Sequence, residues 1–347
     1  MNDKIKIGIV GVAHMGQTRR RQLLHSKRFE IVALCDIDAK ALGIAAKEDN
    51  AIAYDSFEKL LADVNVEAVA INTPIHCHAE QTVAALNAGK DVLVEKPISN
   101  SLEDAVKMIK TATQKGKKLM VAHNQKFDPM FAVIKHYIED ERLGKVCAIR
   151  TIGASSSGLA QSEGAWRTIA ELNPGGPLLQ CGCHIIDTIM WLFGRFDNLH
   201  ARIRTDITSG DVIDCLSMLG ILENGILVTV DEYYTTAYHH EFNVYGTKAN
   251  LYCDTFRRKL YYQQCGLGHV ETAEPIDVPV LPQLSEEWTD VVNRFYDSIK
   301  HDWLSNPNIA PEEALEVLSV VLTAHRSAFE NRAISVCHAD EILSKCM

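Results

Sequence analysis

The chain has 347 residues, 47% of them apolar and 23% charged, the balance of an ordinary globular protein with room for two domains and a sizeable core. No run approaches the roughly 18 apolar residues that a membrane helix needs. A net charge of −10 argues against nucleic acid or an anionic membrane as the main partner. The opening MNDKIKIGIV runs straight into a strand pattern, so a cytoplasmic location and ten reduced cysteines are expected.

The first part of the chain alternates strand and helix patterns. Lys4–Val10 is an apolar strand ending in glycine, followed by a helical stretch over about His14–His25. The basic run Arg19-Arg20-Arg21 within it is expected to be a solvated helix face. Glu30–Cys35, Val66–Asn72, Asp91–Glu95 and Lys118–Ala122 are further short apolar runs, with helical spacing over Ala79–Ala88 and Leu102–Gln114 between them. Such alternation indicates a parallel sheet built from βαβ units. After a helix near Pro129–Glu139 the pattern changes. The strand-like runs Val146–Ile152, Val212–Leu222, Ile226–Tyr234 and Glu241–Tyr245 follow one another, with a helix at Cys183–Phe193 among them. The turn Glu223-Asn224-Gly225 suggests antiparallel pairing. Helices over about Ser285–His301 and Pro311–Asn331 close the chain. The expected fold is α/β: a Rossmann doubly wound parallel sheet over residues 1–123, then an α/β domain with a large, mostly antiparallel open sheet over 124–347.

The turn after the first strand reads Gly11-Val12-Ala13-His14-Met15-Gly16. A dinucleotide fingerprint has three glycines here, and Ala13 stands at the second. Context strengthens the pair that remains. The turn joins a strand to a helix, whose free N–H groups and positive dipole suit a pyrophosphate. Asp36 ends the second strand 20 residues after Gly16, where an acid accepts hydrogen bonds from the adenosine ribose. It would also repel a 2′-phosphate, which favours NAD over NADP. Cys181, Cys183 and His184, like His76, Cys77 and His78, lack the paired spacing of a zinc site, so no metal is expected.

Several motifs appear in order: the CDID segment, Thr73-Pro74 with His78, Glu95-Lys96-Pro97, Phe127-Asp128-Pro129, Trp166-Arg167, and Gly175-Gly176-Pro177-Leu178 leading to His184 and Asp187. In this order and spacing the chain resembles the glucose–fructose oxidoreductase / inositol 2-dehydrogenase / MocA family. The resemblance implies hydride transfer between NAD and a sugar, cyclitol or related polyol. It implies that Thr73, Pro74, His78, Glu95 and Lys96 help to form the cofactor site, and that the open sheet joins subunits into a homodimer or homotetramer.

Lys96 also has a physical case of its own. It lies at the C-terminal end of a strand, which in doubly wound sheets faces the ligand crevice, and its ammonium can stabilise a developing alkoxide. The resemblance makes His184 the acid/base. Asp187, three residues on, shares its helix face and can orient the ring or reach substrate. His123, Lys126, Trp166, Arg167, Gln180, Tyr233 and Tyr234 are the other candidate substrate groups, and His240 reads as an exposed structural residue. Gln180 departs from the family, whose inositol dehydrogenases carry aspartate there; glutamine can hold a hydroxyl but cannot relay a proton. Lys126 stands where many members have arginine, losing the bidentate fork, and Ile75 where asparagine is common. Two other readings stay open: tightly held NAD used transiently for elimination, epimerisation or glycoside cleavage, and a regulator that binds the dinucleotide without turnover.

Overall fold

The computed structural model describes residues 4–266, 271–278, 290–301 and 310–345. These fall into two compact units. The first takes residues of Met1–Asn124, Pro282–Leu315 and Ala339–Met347, and the second those of Gln125–Leu281 and Glu316–His338.

The first unit runs β1 (Ile5–Val10), α1 (Met15–Ser26), β2 (Phe29–Cys35), α2 (Ala39–Asp49), β3 (Ile52–Tyr54), α3 (Phe57–Ala62), β4 (Ala68–Ile71), α4 (Ile75–Asn87), β5 (Asp91–Val94), α5 (Leu102–Lys115) and β6 (Leu119–Val121). Its six strands are parallel, in the order β3-β2-β1-β4-β5-β6. The order reverses between β1 and β4, the point at which doubly wound sheets bind ligands. Every residue of β4 is buried, as are the last four of β1. Covered on both faces, these strands read as continuous apolar runs. Helices α2 and α5 start on side-chain caps: Asp38 accepts from the N–H groups of Lys40 and Ala41, and Ser101 from that of Asp104.

The second unit opens with α6 (Pro129–Glu139) and β7 (Val146–Ala154). After α7 (Cys183–Phe193) come β8 (Phe196–Arg204), β9 (Cys215–Leu222), β10 (Leu227–Tyr233), β11 (His239–Gly246), β12 (Ala249–Asp254), β13 (Lys259–Gln264) and β14 (Glu274–Ile276). With β15 (Ile334–Ser335) they make a nine-stranded sheet in the order β14-β13-β12-β11-β7-β10-β9-β8-β15. Neighbours are antiparallel except β7 and β10, which run parallel. The expected large, mostly antiparallel sheet is therefore present, with one parallel pair in it. Val212–Asp214, expected as strand, precedes β9 as a bend. Burial alternates along β10: Val228, Val230 and Glu232 face inward, while Leu227 and its alternates lie on the outer face. Phe131 and Phe242 meet edge-on beneath the inner face, with ring centroids 5.1 Å apart.

The chain closes with α8 (Asp290–Lys300), α9 (Pro311–Glu330) and α10 (Ala339–Lys345). Residues 285–289 of the expected helix lie outside the described residues. The α8 helix belongs to the first unit, where Phe295 stacks on Phe29 at 6.3 Å and Asp297 pairs with Arg28 at 2.7 Å.

Candidate functional site

The glycine turn has little freedom. Gly11 sits at φ +80°, and a Cβ on Gly16 would lie 1.9 Å from the Gly11 carbonyl, so the turn closes only with glycine at 16. His14 precedes α1 at φ 48°, an uncommon conformation for a non-glycine residue. Ala13 and His14 are exposed and Met15 half-buried, which leaves this backbone open to an approaching phosphate. The half-buried Asp36 turns back onto the same loop. One carboxylate oxygen accepts the Val12 N–H at 2.7 Å and the other the Asp38 N–H at 2.9 Å. A glycine turn, a helix N-terminus and an acid at the end of β2 fit the pyrophosphate and ribose of a dinucleotide.

At the end of β5 the chain passes from Glu95 to Lys96 and through a cis Lys96–Pro97 peptide. Glu95 is buried, and its Oε1 lies 2.5 Å from Arg19 Nη2 on α1. Its other oxygen accepts the Lys96 N–H at 3.3 Å. The Glu95 side chain thus holds Arg19. Arg19 and Arg20 do not form the solvated face expected of the basic run: Arg20 pairs with Glu48 and Asp49, and both arginines are buried. Buried His78 braces the same corner, with its Nδ1 2.9 Å from the Pro97 carbonyl and its Nε2 2.9 Å from that of Thr73. Burial pushes its pKa below the usual range, against two carbonyls that favour the charged ring. Thr73 donates its hydroxyl to Gln81 at 2.6 Å. His123 is buried just beyond β6.

In the second unit, α7 is entered through a π-helical turn, Leu178–Gly182, a device frequent at functional sites. Gln180 lies in this turn and donates to the Asn173 Oδ1 at 3.1 Å; the buried Asn173 donates in turn to the Arg167 carbonyl at 3.1 Å. Half-buried His184 follows at the second position of α7. Asp187, one turn on, pairs with Lys126 at 3.0 Å, and both side chains are almost completely buried. Two expected site residues are therefore joined to each other. The Arg167 guanidinium lies over the Trp166 ring at 4.4 Å. The two tyrosines are not brought together. Tyr234 is buried, and burial first, then Cys181, pushes its phenol well above the usual range. Tyr233 lies half-buried on the outer face, 3.3 Å from the Ser217 hydroxyl. His240 is half-buried rather than exposed, and burial lowers its pKa.

Asn173, Asp214 and Glu232 are buried polar residues of the second unit that carry no sequence motif. Asn173 anchors Gln180. Asp214 accepts from the Ile207 N–H at 2.7 Å and from the N–H and hydroxyl of Thr208, which shapes the loop before β9. Glu232 is 2% exposed on the inner face of β10. The alternation Val228-Val230-Glu232 places a carboxylate where a third valine-like residue belongs, and that pattern alone could have flagged it.

Comparison with known proteins agrees with this geometry. Residues 5–123 match the model of the oxidoreductase family with an NAD-binding Rossmann fold, and residues 131–252 match the GFO/IDH/MocA C-terminal domain. An uncharacterized oxidoreductase of Schizosaccharomyces pombe is 34% identical over 51% of this chain and 48% of its own length. The chain thus spans about half the length of the first curated relatives it matches. A scyllo-inositol 2-dehydrogenase (NADP(+)) of Bacillus subtilis is 24% identical over 97% of both chains. Levoglucosan dehydrogenase, solved with NADH and levoglucosan, shares the fold at a TM-score of 0.85 and 19% identity, covering 96% of this chain and 99% of that one. From the glycine turn to the nine-stranded sheet, the chain belongs to the Gfo/Idh/MocA family of oxidoreductases.

Proposed function

We propose that the protein is an NAD-dependent dehydrogenase or reductase that interconverts a hydroxyl and a ketone on a sugar, cyclitol or sugar derivative. The observation that carries this is Lys96, placed at the C-terminal end of β5 beside the buried Arg19–Glu95 pair. The full-length likeness to an inositol dehydrogenase supports the substrate class. Gly11, Gly16 and the backbone of Ala13, His14 and Met15 would hold the pyrophosphate, and Asp36 the adenosine ribose. Although that relative is named for NADP(+), the Asp36 carboxylate disfavours a 2′-phosphate here by like-charge repulsion.

When bound, NAD supplies the hydride acceptor. Lys96 donates a hydrogen bond to the reacting oxygen and stabilises the negative charge it gains. His184 takes the hydroxyl proton as the C–H hydride leaves and the C–O bond becomes a carbonyl; in the reverse direction it returns that proton. Gln180, which donates to Asn173, is the contact for a substrate hydroxyl through its side-chain amide. Lys126 supports Asp187 from below α7, and a buried carboxylate held this way fixes the helix that carries His184.

The outer face of the large sheet, with Leu219 54% and Leu227 50% exposed, is proposed as the contact with a second copy of the chain. Free thiols such as Cys147 and Cys265, both exposed, suit the cytoplasm. A panel of sugars and cyclitols, assayed with NAD and with NADP by absorbance of the reduced nicotinamide, tests the activity. NAD-preferring turnover of at least one polyol is expected; tight NAD binding without turnover of any would contradict the reading.

A further inference from the structure

Glu232 is the penultimate residue of β10, on the same face as Val228 and Val230. Two glycines make room for it. Gly153 is its register partner on β7, and a Cβ there would fall 2.5 Å from both carboxylate oxygens. A Cβ on Gly182 would fall 2.8 Å from Glu232 Cγ and 3.0 Å from Cδ. The side chain therefore lies across Gly153 and beneath Gly182, the last residue of the π turn, two residues before His184. At 2% exposure a carboxylate is costly to bury, and a residue needed only to fill space here would be apolar like its neighbours. The charged or titratable groups on the elements packed against β10 are Cys147 and Arg150 on β7, Cys215 on β9 and Cys181 in the π turn, with Cys183 and Asp187 following on α7 and Asp231, Tyr233 and Tyr234 beside Glu232 in sequence.

We infer that Glu232 is a positioning residue for proton transfer: its buried charge, seated under the turn that delivers His184, steadies the imidazolium that forms when His184 takes the substrate proton. The inference rests on the proposed role of His184. It assigns Glu232 no contact with substrate.

The test follows the His184 ring directly by NMR in protein labelled with ¹⁵N-histidine, its signal assigned by loss in His184→Asn. Glu232→Gln keeps the shape and removes the charge. A nearby carboxylate favours the charged imidazole, so His184 should titrate lower in Glu232→Gln by roughly half a pH unit or more. Gly153→Ala, whose methyl displaces the carboxylate, should move the midpoint the same way, and it carries the test if Glu232→Gln does not fold. A midpoint unchanged within about 0.2 units in the folded variant, or a ring that titrates in neither protein, overturns the inference. The His184 role is checked separately. Undiminished turnover of the polyol panel by His184→Asn would sink that role whatever the titration shows.

Discussion

Arg19 Nη2 and Glu95 Oε1 stand 2.5 Å apart with 3% and 7% of their side chains exposed, joining the first helix to the end of β5 one residue before Lys96. Removing one partner of a buried pair leaves the other charge uncompensated, at about 3–5 kcal/mol. Arg19→Met should therefore lower the urea midpoint strongly. Arg19→Met combined with Glu95→Leu should recover much of the loss, because no orphan charge remains. A single variant as stable as the parent would show that the pair contributes nothing.

The glycine turn makes opposite predictions at two neighbouring sites. In Gly16→Ala the new methyl meets the Gly11 carbonyl, so the turn must open and NAD binding should be lost. In Ala13→Gly a methyl leaves an exposed position, and NAD should bind the same or a few-fold tighter. Titration calorimetry with NAD distinguishes the two.

Asp36 should set cofactor choice. Asp36→Ala removes ribose acceptors, at about 1–3 kcal/mol or roughly 5- to 150-fold in NAD affinity, while relieving repulsion of a 2′-phosphate. The NAD/NADP affinity ratio should fall accordingly. A ratio that does not move would place the ribose elsewhere. Because Asp36 also accepts the Val12 N–H, Asp36→Asn is the useful companion, keeping an acceptor without the charge.

Acid should weaken the fold through His78. Burial holds its pKa below the usual value of about 6.5, so the unfolded chain binds the proton first. Stability is then complete above about pH 6.5 and falls as pH drops from there toward the depressed folded value. Urea midpoints between about pH 7.5 and 5 should decline, and the decline should be shallower in His78→Gln. An equal slope in the two proteins would contradict this.

Much of this architecture was legible in the sequence because both-face burial leaves apolar runs. The strands IKIGIV and AVAI, and the helix Cys183–Phe193, appear where their patterns put them. The short elements were not legible: β3 is exposed or half-buried along its three residues, and α3 has only six. Candidate site residues can be nominated from sequence where a residue type carries its own chemistry, as at Gly11, Asp36 and Lys96. It was not legible where the role depends on a partner far along the chain. Arg19 and Arg20 read as surface because nothing local shows that Glu95, 76 residues away, and Asp49 meet them inside. Likewise the sequence offers Lys126 as a substrate contact and Asp187 as a group that orients His184 or reaches substrate, and only the fold shows that the two pair with each other across 61 residues.

The central claim is that Lys96 and His184 carry the chemistry while the glycine turn and Asp36 hold the cofactor. Its most direct test is turnover by Lys96→Ala and His184→Ala on the polyol that the parent protein uses, with NAD affinity measured in parallel. Each variant should lose roughly 10²-fold or more in kcat with NAD binding kept within a few-fold. Near-parental turnover by both variants would contradict the account.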